Sequence, residues 1–530
     1  MEKIENAIRT GKTCIGIEFG STRIKAVLIG PDHKPAASGV HDWSNQLTDG
    51  IWSYSLEDVR TGLQSCFANL MQNVEQTYGV RLTTCAGFGI SAMMHGYLAF
   101  DETGALLVPF RTWRNTMTEQ AAEKLTEAFD FNIPQRWSIA HLYQAILNKE
   151  PHVGRIRFLT TLAGYVHWLL TGQKVLGIGD ASGMFPIDPE HAAYDAAMAD
   201  TFEKLTADTV FQQKLMDVLP CIVPVGKSAG VLTPEGALLL DPTGTFQAGV
   251  PFCPPEGDAQ TGMAATNSIT PKTGNVSAGT SIFSMIVLER NLKAVHREID
   301  IVTTPCGDPV AMVHCNNCSS DLDAWIGVFG QVLQAAGCEL QKGQLYDLLY
   351  KLASEGKPAC GGVVSYNYFA GEEITGLKSG KPLLMRAPDT AFSAADLMRS
   401  LVYSCMATLK IGNDILTQQE QVQLDRIYAH GGLFKNPLLT QPVLAAILNA
   451  DVTLMQSAGE GGAWGIALLA AYMVRENRSE SLSDYLNQHV FAGMQGITVS
   501  PKQSDLDGIK IYMDAYCAGL AAERAAVNEL

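Results

Sequence analysis

The chain is poor in charge: only 17% of its 530 residues are Asp, Glu, Lys or Arg. What charge it has leans acidic, 54 against 38, for a net −16. No block of Lys and Arg and no basic amphipathic helix occurs, which argues against a general nucleic-acid binder and against a protein drawn to an anionic membrane surface. Long hydrophobic runs are missing too. The longest, Ala463–Val474, holds about a dozen residues where a membrane helix needs ~20. Met1–Gly11 lacks the basic-then-apolar pattern of a secretory leader. The twelve cysteines have no regular spacing, so a reducing compartment is expected and the expected location is the cytoplasm. The phosphate-loop pattern Gly-x-x-x-x-Gly-Lys-Ser/Thr is absent, because Gly226-Lys227-Ser228 lacks the upstream glycine, so this is not a P-loop enzyme. Short-period repeats and low-complexity tracts are likewise absent.

What the chain does have is length, 47% hydrophobic residues and a duplication. A chain this long calls for two or more domains. The stretches Ile15-Gly16-Ile17-Glu18-Phe19-Gly20-Ser21-Thr22-Arg23-Ile24-Lys25 and Gly274-Asn275-Val276-Ser277-Ala278-Gly279-Thr280-Ser281-Ile282-Phe283 resemble each other across about half the sequence. Each reads as an apolar strand, a Gly-plus-hydroxyl turn and a second apolar strand. Glycine lets the backbone approach a phosphate, and the adjacent hydroxyls add donors. One tip suits one phosphate group; two, facing a cleft from similar halves, suit a nucleotide triphosphate. The expected ligand is therefore ATP, with Mg²⁺ and backbone amides offsetting the acidic surroundings. The first copy carries Glu18 two residues before its glycine, where the second has Ser277, so the metal is expected at the first tip.

Helical spacing of Val59, Leu63, Phe67, Leu70, Met71 and Val74 predicts an amphipathic helix over Glu57–Tyr78. Cys85–Ala92 reads as a buried strand, Phe100–Leu107 as a hairpin, 118–171 as mainly helical with Gly172 as a helix cap, and Thr245–Pro254 as a strand. Helices are expected at Ala259–Asn267, Ala394–Gln418, Leu438–Leu448 and Gly462–Val474. The polar Pro/Gly segment 268–274 marks a boundary, giving two α/β domains, residues 1–267 and 268–530.

Asp258 follows a strand end and precedes a helix just ahead of that boundary. It suits a helix N-cap, and equally a base that accepts the proton of an attacking hydroxyl in phosphoryl transfer. Glu18 suits a metal ligand or a partner for Lys25. Gly87-Phe88-Gly89 superficially matches a dinucleotide fingerprint, yet its glycines lie inside a strand pattern. His314 with Cys315-Asn316-Asn317-Cys318 is a zinc candidate that lacks a second Cys pair. Gly431-Gly432 followed by Lys435-Asn436-Pro437 reads as a glycine turn entering a helix with Asn436 as cap and Pro437 at its first position, and Pro442 suggests a kink in that helix. Gly459-Glu460-Gly461-Gly462 opens a further helix.

From about residue 13 to 475 the chain resembles the FGGY family of carbohydrate kinases, within the actin, hexokinase and heat-shock-chaperone superfamily, and most of all its pentulose kinases. The resemblance is carried by Gly16-Ile17-Glu18-Phe19-Gly20-Ser21-Thr22, Ile90-Ser91-Ala92-Met93-Met94-His95-Gly96, Thr112-Trp113-Arg114-Asn115, Gly179-Asp180-Ala181-Ser182-Gly183, Gly257-Asp258-Ala259, Ser277-Ala278-Gly279-Thr280-Ser281, His430-Gly431-Gly432-Leu433-Phe434-Lys435-Asn436-Pro437 and Glu460-Gly461-Gly462-Ala463-Trp464-Gly465. It implies two ribonuclease-H-like domains flanking an ATP/sugar cleft and transfer of the γ-phosphate of Mg-ATP to a sugar hydroxyl. It further implies Asp258 as catalytic base and Glu18, in place of the usual Asp, near Mg²⁺ together with Asp258. Met94, His95, Trp113, Asn115, Asp258 and Gln260 are implied at the sugar, with Gln260 compensating for Ala259 where relatives carry Asn or Gln. Gly20, Ser21, Thr22, Gly279, Thr280 and Ser281 are implied at the phosphates, and Gly431, Gly432 and Asn436 at the adenosine. The expected acceptor is a ketopentose, L-ribulose ahead of D-xylulose because of Glu18 and the segment Tyr366–Glu372. Rhamnulose, fuculose, gluconate and glycerol are the alternatives, as is a sugar- or nucleotide-sensing protein on the same fold. A homodimer is compatible with the sequence.

Overall fold

A computed structural model describes residues 3–455, 461–494 and 496–529. The chain forms two compact units: the first comprises 1–269, 300–310 and 459–493, the second 270–299, 311–458 and 494–530. The change of unit falls two residues past the expected boundary. The segments 300–310 and 459–493 pack with the first unit rather than with their sequence neighbours.

The first unit is built on a five-stranded sheet. β1 (Cys14–Phe19) pairs antiparallel with β2 (Arg23–Ile29), which pairs antiparallel with β3 (Pro35–Asp42). On its other side β1 runs parallel to β4 (Gly87–Ala92), and β4 runs parallel to the short β5 (Glu256–Gly257). Helix α1 (Leu56–Tyr78) covers the sheet with Val59, Leu63, Phe67, Leu70 and Val74, all buried. Each such side chain removed from water contributes about 1.5–3 kcal/mol. The Ser55 hydroxyl accepts from the Asp58 amide to start the helix, and Gly79 ends it in the left-handed region, as cap chemistry requires. Helix α2 (Asp258–Thr266) follows β5 directly.

One expected strand differs, and another gains a second partner. Residues 245–254 form no extended strand; Pro251, Pro254 and Pro255 cannot donate to a ladder, and only isolated bridges remain, Phe88 with Phe252 and Val231 with Pro251. Leu98–Phe100 pairs antiparallel with Phe158–Thr160 and also closes the expected hairpin, where Phe100 bridges Leu106, Leu107 N–H donates to Ala99 O at 2.9 Å and Asp101 N–H donates to Ala105 O at 3.1 Å. The expected helical stretch resolves into Glu119–Phe129, Ser138–Leu147 and Leu162–Thr171, the last capped by Gly172.

In the second unit β6 (Thr273–Ala278) pairs antiparallel with β7 (Ile282–Val287) and parallel with β8 (Arg426–His430), repeating the β1/β2/β4 arrangement. β9 (Asp451–Met455) lies parallel to β8 and antiparallel to β10 (Gly496–Val499). Helices α3 (Ala394–Asp414) and α4 (Pro437–Leu448) belong to this unit.

Helix α5 (Gly461–Val474) is packed on β1 and β4 of the first unit. Gly16 makes this possible: a Cβ there would stand 2.2 Å from the Ala463 carbonyl and 2.6 Å from the Ala467 nitrogen.

Candidate active site

Three neighbouring parallel strands end at one level, with Phe19, Ala92 and Gly257 side by side in register. The residues just beyond are Gly20, Met93-Met94-His95 and Asp258, so the carboxyl edge of the sheet gathers them, which is where open α/β sheets bind ligands.

Asp258 is the first residue of α2, and Gly257 takes the cap position. The carboxylate is therefore not spent as the cap. Its Oδ1 accepts from the Met94 amide at 3.2 Å and the Ala259 amide at 2.9 Å. Burial outweighs these bonds and pushes its pKa up to about 6. Glu18 lies on the same edge, and one of its oxygens accepts from the Ala463 amide at 3.2 Å, at the N-terminus of α5. Burial, then the charge of Asp258, push Glu18 up to about 7, while Lys25 across the hairpin acts the other way. Helix-end amides favour its ionised form. Gly461 and Gly462 thus open a helix against Glu18; Gly459 and Glu460 lie outside the described residues.

Met94 and His95 are both buried. His95 sits in the left-handed region with φ 67°, followed by Gly96 at 95°, a conformation L-residues adopt only under constraint. The constraint is visible: Gly96 N–H donates to Arg136 O, Ser138 donates to Gly96 O, and the His95 ring nitrogen Nδ1 donates to Gly183 O at 3.2 Å. Trp137 stacks on the imidazole, with ring centroids 6.2 Å apart.

Asp180, in the turn Ile178–Ala181 leading to Gly183, is fully buried. It accepts from Thr161, and its pKa is pushed up to about 7, by burial first and then by the charge of Asp258. Its backbone N–H donates to the buried Glu256 carboxylate at 2.8 Å, and Glu256 is itself held well above the usual carboxylate range by burial and by Asp180. Asp180 and Glu256 form a buried pair of carboxylates, Asp180 within electrostatic reach of Asp258, and the turn that carries Asp180 leads to Gly183, whose carbonyl meets His95.

The remaining expected residues have different surroundings. Trp113 is half-buried against the core of the first unit. The Asn115 amide is committed to backbone: Nδ2 donates to Trp52 O and Thr112 O, and Oδ1 accepts from Trp52 N–H. Gln260 is fully buried and donates to Thr303 O at 3.1 Å, and its Oε1 has no hydrogen-bond partner among the described residues.

In the first hairpin tip the carbonyls of Gly20, Ser21 and Thr22 accept from Trp43 Nε1, the Tyr54 hydroxyl and Trp43 N–H at 2.7, 2.6 and 3.1 Å. In the second, the carbonyls of Gly279 and Thr280 accept from the Ser319 and Cys318 amides at 3.2 and 3.0 Å. Trp43 and Tyr54 escape a sequence reading because nothing in their spacing announces a hydrogen bond to a loop.

Cys315 and Cys318 are buried thiols, and among the described residues no three or more His, Cys, Asp or Glu are grouped to hold a metal. Cys318 instead supports the second tip. The Asn317 side chain is locked to Ala370, Glu372 and the amides of Phe369 and Ala370, and Asn367 donates to Cys318 O. The segment Tyr366–Glu372 therefore braces the turn behind the second hairpin tip. Gly431 has φ 106°, and a Cβ there would meet the Ala278 carbonyl at 2.2 Å, so strand packing alone requires that glycine; Gly432 has open space among the described residues. Asn436 occupies the cap position of α4, but its amide donates to Asp347 at 2.7 Å rather than capping the helix.

The profile of the FGGY family of carbohydrate kinases, N-terminal domain, matches residues 13–264, and that of its C-terminal domain matches 274–474. A xylulose kinase from Haemophilus influenzae is 23% identical over 447 residues, covering 81% of this chain and 82% of that protein. A ribulokinase from Geobacillus thermodenitrificans is 25% identical over 508 residues, covering 87% and 85%. The ligand-bound xylulose kinase from Lactobacillus acidophilus superposes with a TM-score of 0.80 at 16% identity, over 98% of this chain and 99% of that one. With both domain profiles matched in order and the α/β fold shared along its length, the chain belongs to the FGGY family of carbohydrate kinases.

Proposed function

We propose that this sugar kinase transfers the γ-phosphate of Mg-ATP to a terminal hydroxyl of a ketopentose, L-ribulose ahead of D-xylulose. The observation that carries the reading is Asp258. It is a half-buried carboxylate at the carboxyl edge of the sheet, bonded to the Met94 amide, with a pKa raised only to about 6. At neutral pH it is ionised and basic enough to take the proton of a sugar hydroxyl as that oxygen attacks phosphorus. The hydroxyl proton goes to the Asp258 carboxylate, the sugar oxygen bonds to the γ-phosphorus, and the bond to the β-phosphate oxygen breaks to leave ADP.

The strained Met94-His95 turn would hold the sugar, with Trp113 offering an aromatic face. Asn115 would act by fixing the loop that carries Trp113, and Gln260 by holding the floor beneath Asp258. Gly20-Ser21-Thr22 and Gly279-Thr280-Ser281 would each present N–H and hydroxyl donors to phosphate oxygens; Gly432 leaves room for a flat base, with Gly431 and Asn436 shaping the turn beside it. Residues 1–267 would supply the sugar site, first tip and base, and residues 268–530 the second tip and adenosine site.

Glu18 and Asp258 fit a hard divalent cation: they are two half-buried carboxylates on one strand edge, and the charge of Asp258 raises the pKa of Glu18. Mg²⁺ needs only one or two protein carboxylates beside water and phosphate oxygens. When bound, it supplies charge neutralisation on the phosphates.

A coupled ATP-consumption screen across ketopentoses, deoxyketohexoses, polyols and sugar acids tests the assignment. Highest kcat/KM with L-ribulose or D-xylulose is expected. A preference of tenfold or more for gluconate, glycerol, rhamnulose or fuculose, or no sugar-stimulated ATP consumption, overturns it.

A further inference from the structure

The two hairpin tips solve one problem with different groups. A tip that binds phosphate through backbone N–H groups must keep its carbonyls turned away, because a carbonyl oxygen facing a phosphate repels it. In the second unit that task falls to backbone: the Ser319 amide holds Gly279 O and the Cys318 amide holds Thr280 O. In the first unit two side chains take that task. The equivalent carbonyls, Gly20 O and Ser21 O, are held by the indole N–H of Trp43 at 2.7 Å and the phenol of Tyr54 at 2.6 Å. Trp43 adds a third bond from its own amide to Thr22 O at 3.1 Å.

The two rings behave as one part. They stack with centroids 4.2 Å apart and planes 26° from parallel, and Phe19, the last residue of β1, meets Trp43 edge-on at 5.8 Å. Tyr54 is buried and further backed by Phe110 at 6.4 Å. A short phenol–carbonyl bond from a rigid, buried ring fixes direction as well as distance, since an aromatic side chain has only two torsions to lose. Burial also pushes the Tyr54 hydroxyl up to about 12, so it remains a donor throughout the working range. With the carbonyls tied back, the Ser21 and Thr22 N–H groups have no partner among the described residues.

We propose that Trp43 and Tyr54 are positioning residues for the first phosphate tip, acting through its carbonyls to aim its amides at the phosphates of ATP. This rests on the reading of Gly20-Ser21-Thr22 as a phosphate site.

Tyr54→Phe removes one oxygen and keeps the stack; Trp43→Phe removes the indole donor. Binding of ATP and of adenosine is measured for each by titration calorimetry, with unfolding temperature as a check of the fold. From the usual worth of one hydrogen bond, Tyr54→Phe should weaken ATP about 3- to 10-fold and leave adenosine within about twofold. KM for ATP should rise while KM for the sugar holds. Equal losses for ATP and adenosine would mean a general structural role and overturn the proposal. Ser21→Pro, which deletes a tip amide, separates the two layers of the argument. If it weakens ATP while Tyr54→Phe and Trp43→Phe do not, the positioning role is wrong and the phosphate site stands. If none of the three changes ATP binding, both are wrong.

Discussion

Asp258→Asn is the sharpest perturbation available, because the structure says what it changes and what it leaves alone. The Oδ1 that accepts from the Met94 and Ala259 amides survives in asparagine, so the start of α2 and the turn carrying His95 should hold. What disappears is the second carboxylate oxygen and the negative charge. Loss of a positioned base lowers turnover by about 10²–10⁴-fold, which is about 3–5 kcal/mol of barrier. The charge loss has a second consequence. Asp258 is one of the groups that push Glu18 up to about 7, so the variant should be no less stable than the parent at neutral pH. The assay is steady-state kinetics with a coupled ADP readout, alongside calorimetric ATP binding and thermal unfolding. A kcat reduced at least a hundredfold, with ATP affinity and unfolding temperature near the parent's, is expected. A kcat within tenfold of the parent refutes the assignment of Asp258 as base.

Gly16→Ala should cost about 1–3 kcal/mol or more in urea unfolding, since the new methyl meets the backbone of α5 at 2.2 and 2.6 Å and backbone cannot yield as a side chain does; a variant as stable as the parent would contradict the packing described. Asp180→Asn should gain stability relative to the parent as pH rises. Burial lifts Asp180 to about 7 from an ordinary 3.8, so the native advantage is full below about pH 4 and is lost as pH climbs through 7. Asparagine, which can still accept from Thr161, escapes that loss. Equilibrium unfolding at pH 5 and pH 8 should show the variant improving by about 2–3 kcal/mol, and an unchanged difference would sink the argument.

Local chemistry was readable from the residues. Helix α1 followed from its apolar spacing and ends one residue from expectation at one side only. By residue type Asp258 suits a helix cap as well as a base, and only the fold shows that Gly257 takes the cap position. The misses are non-local. The apolar run 245–254 looks like a strand until its prolines are counted against the ladder they would have to join. Pro437 takes the first helical position as expected, but Asn436 makes no capping bond, because Asp347, 89 residues away, takes its side chain. The close approach of Ala278 that Gly431 permits is likewise invisible in the local pattern. Trp43 and Tyr54 belong to this class as well: their ring packing could be guessed, whereas the loop carbonyls they hold depend on how β3 and the chain before α1 are brought beside the first tip.

The placement of α5 bears on how the protein is made. β1 and β4, among the earliest parts of the chain to be synthesised, have their covering helix encoded about 200 residues beyond the end of the first unit's main segment. At roughly 5–20 residues per second on the ribosome, the surface around Gly16 waits about 10–40 s more for its cover after that segment is complete. During that interval the nascent chain presents an apolar sheet face, a substrate for whatever holdase meets it first.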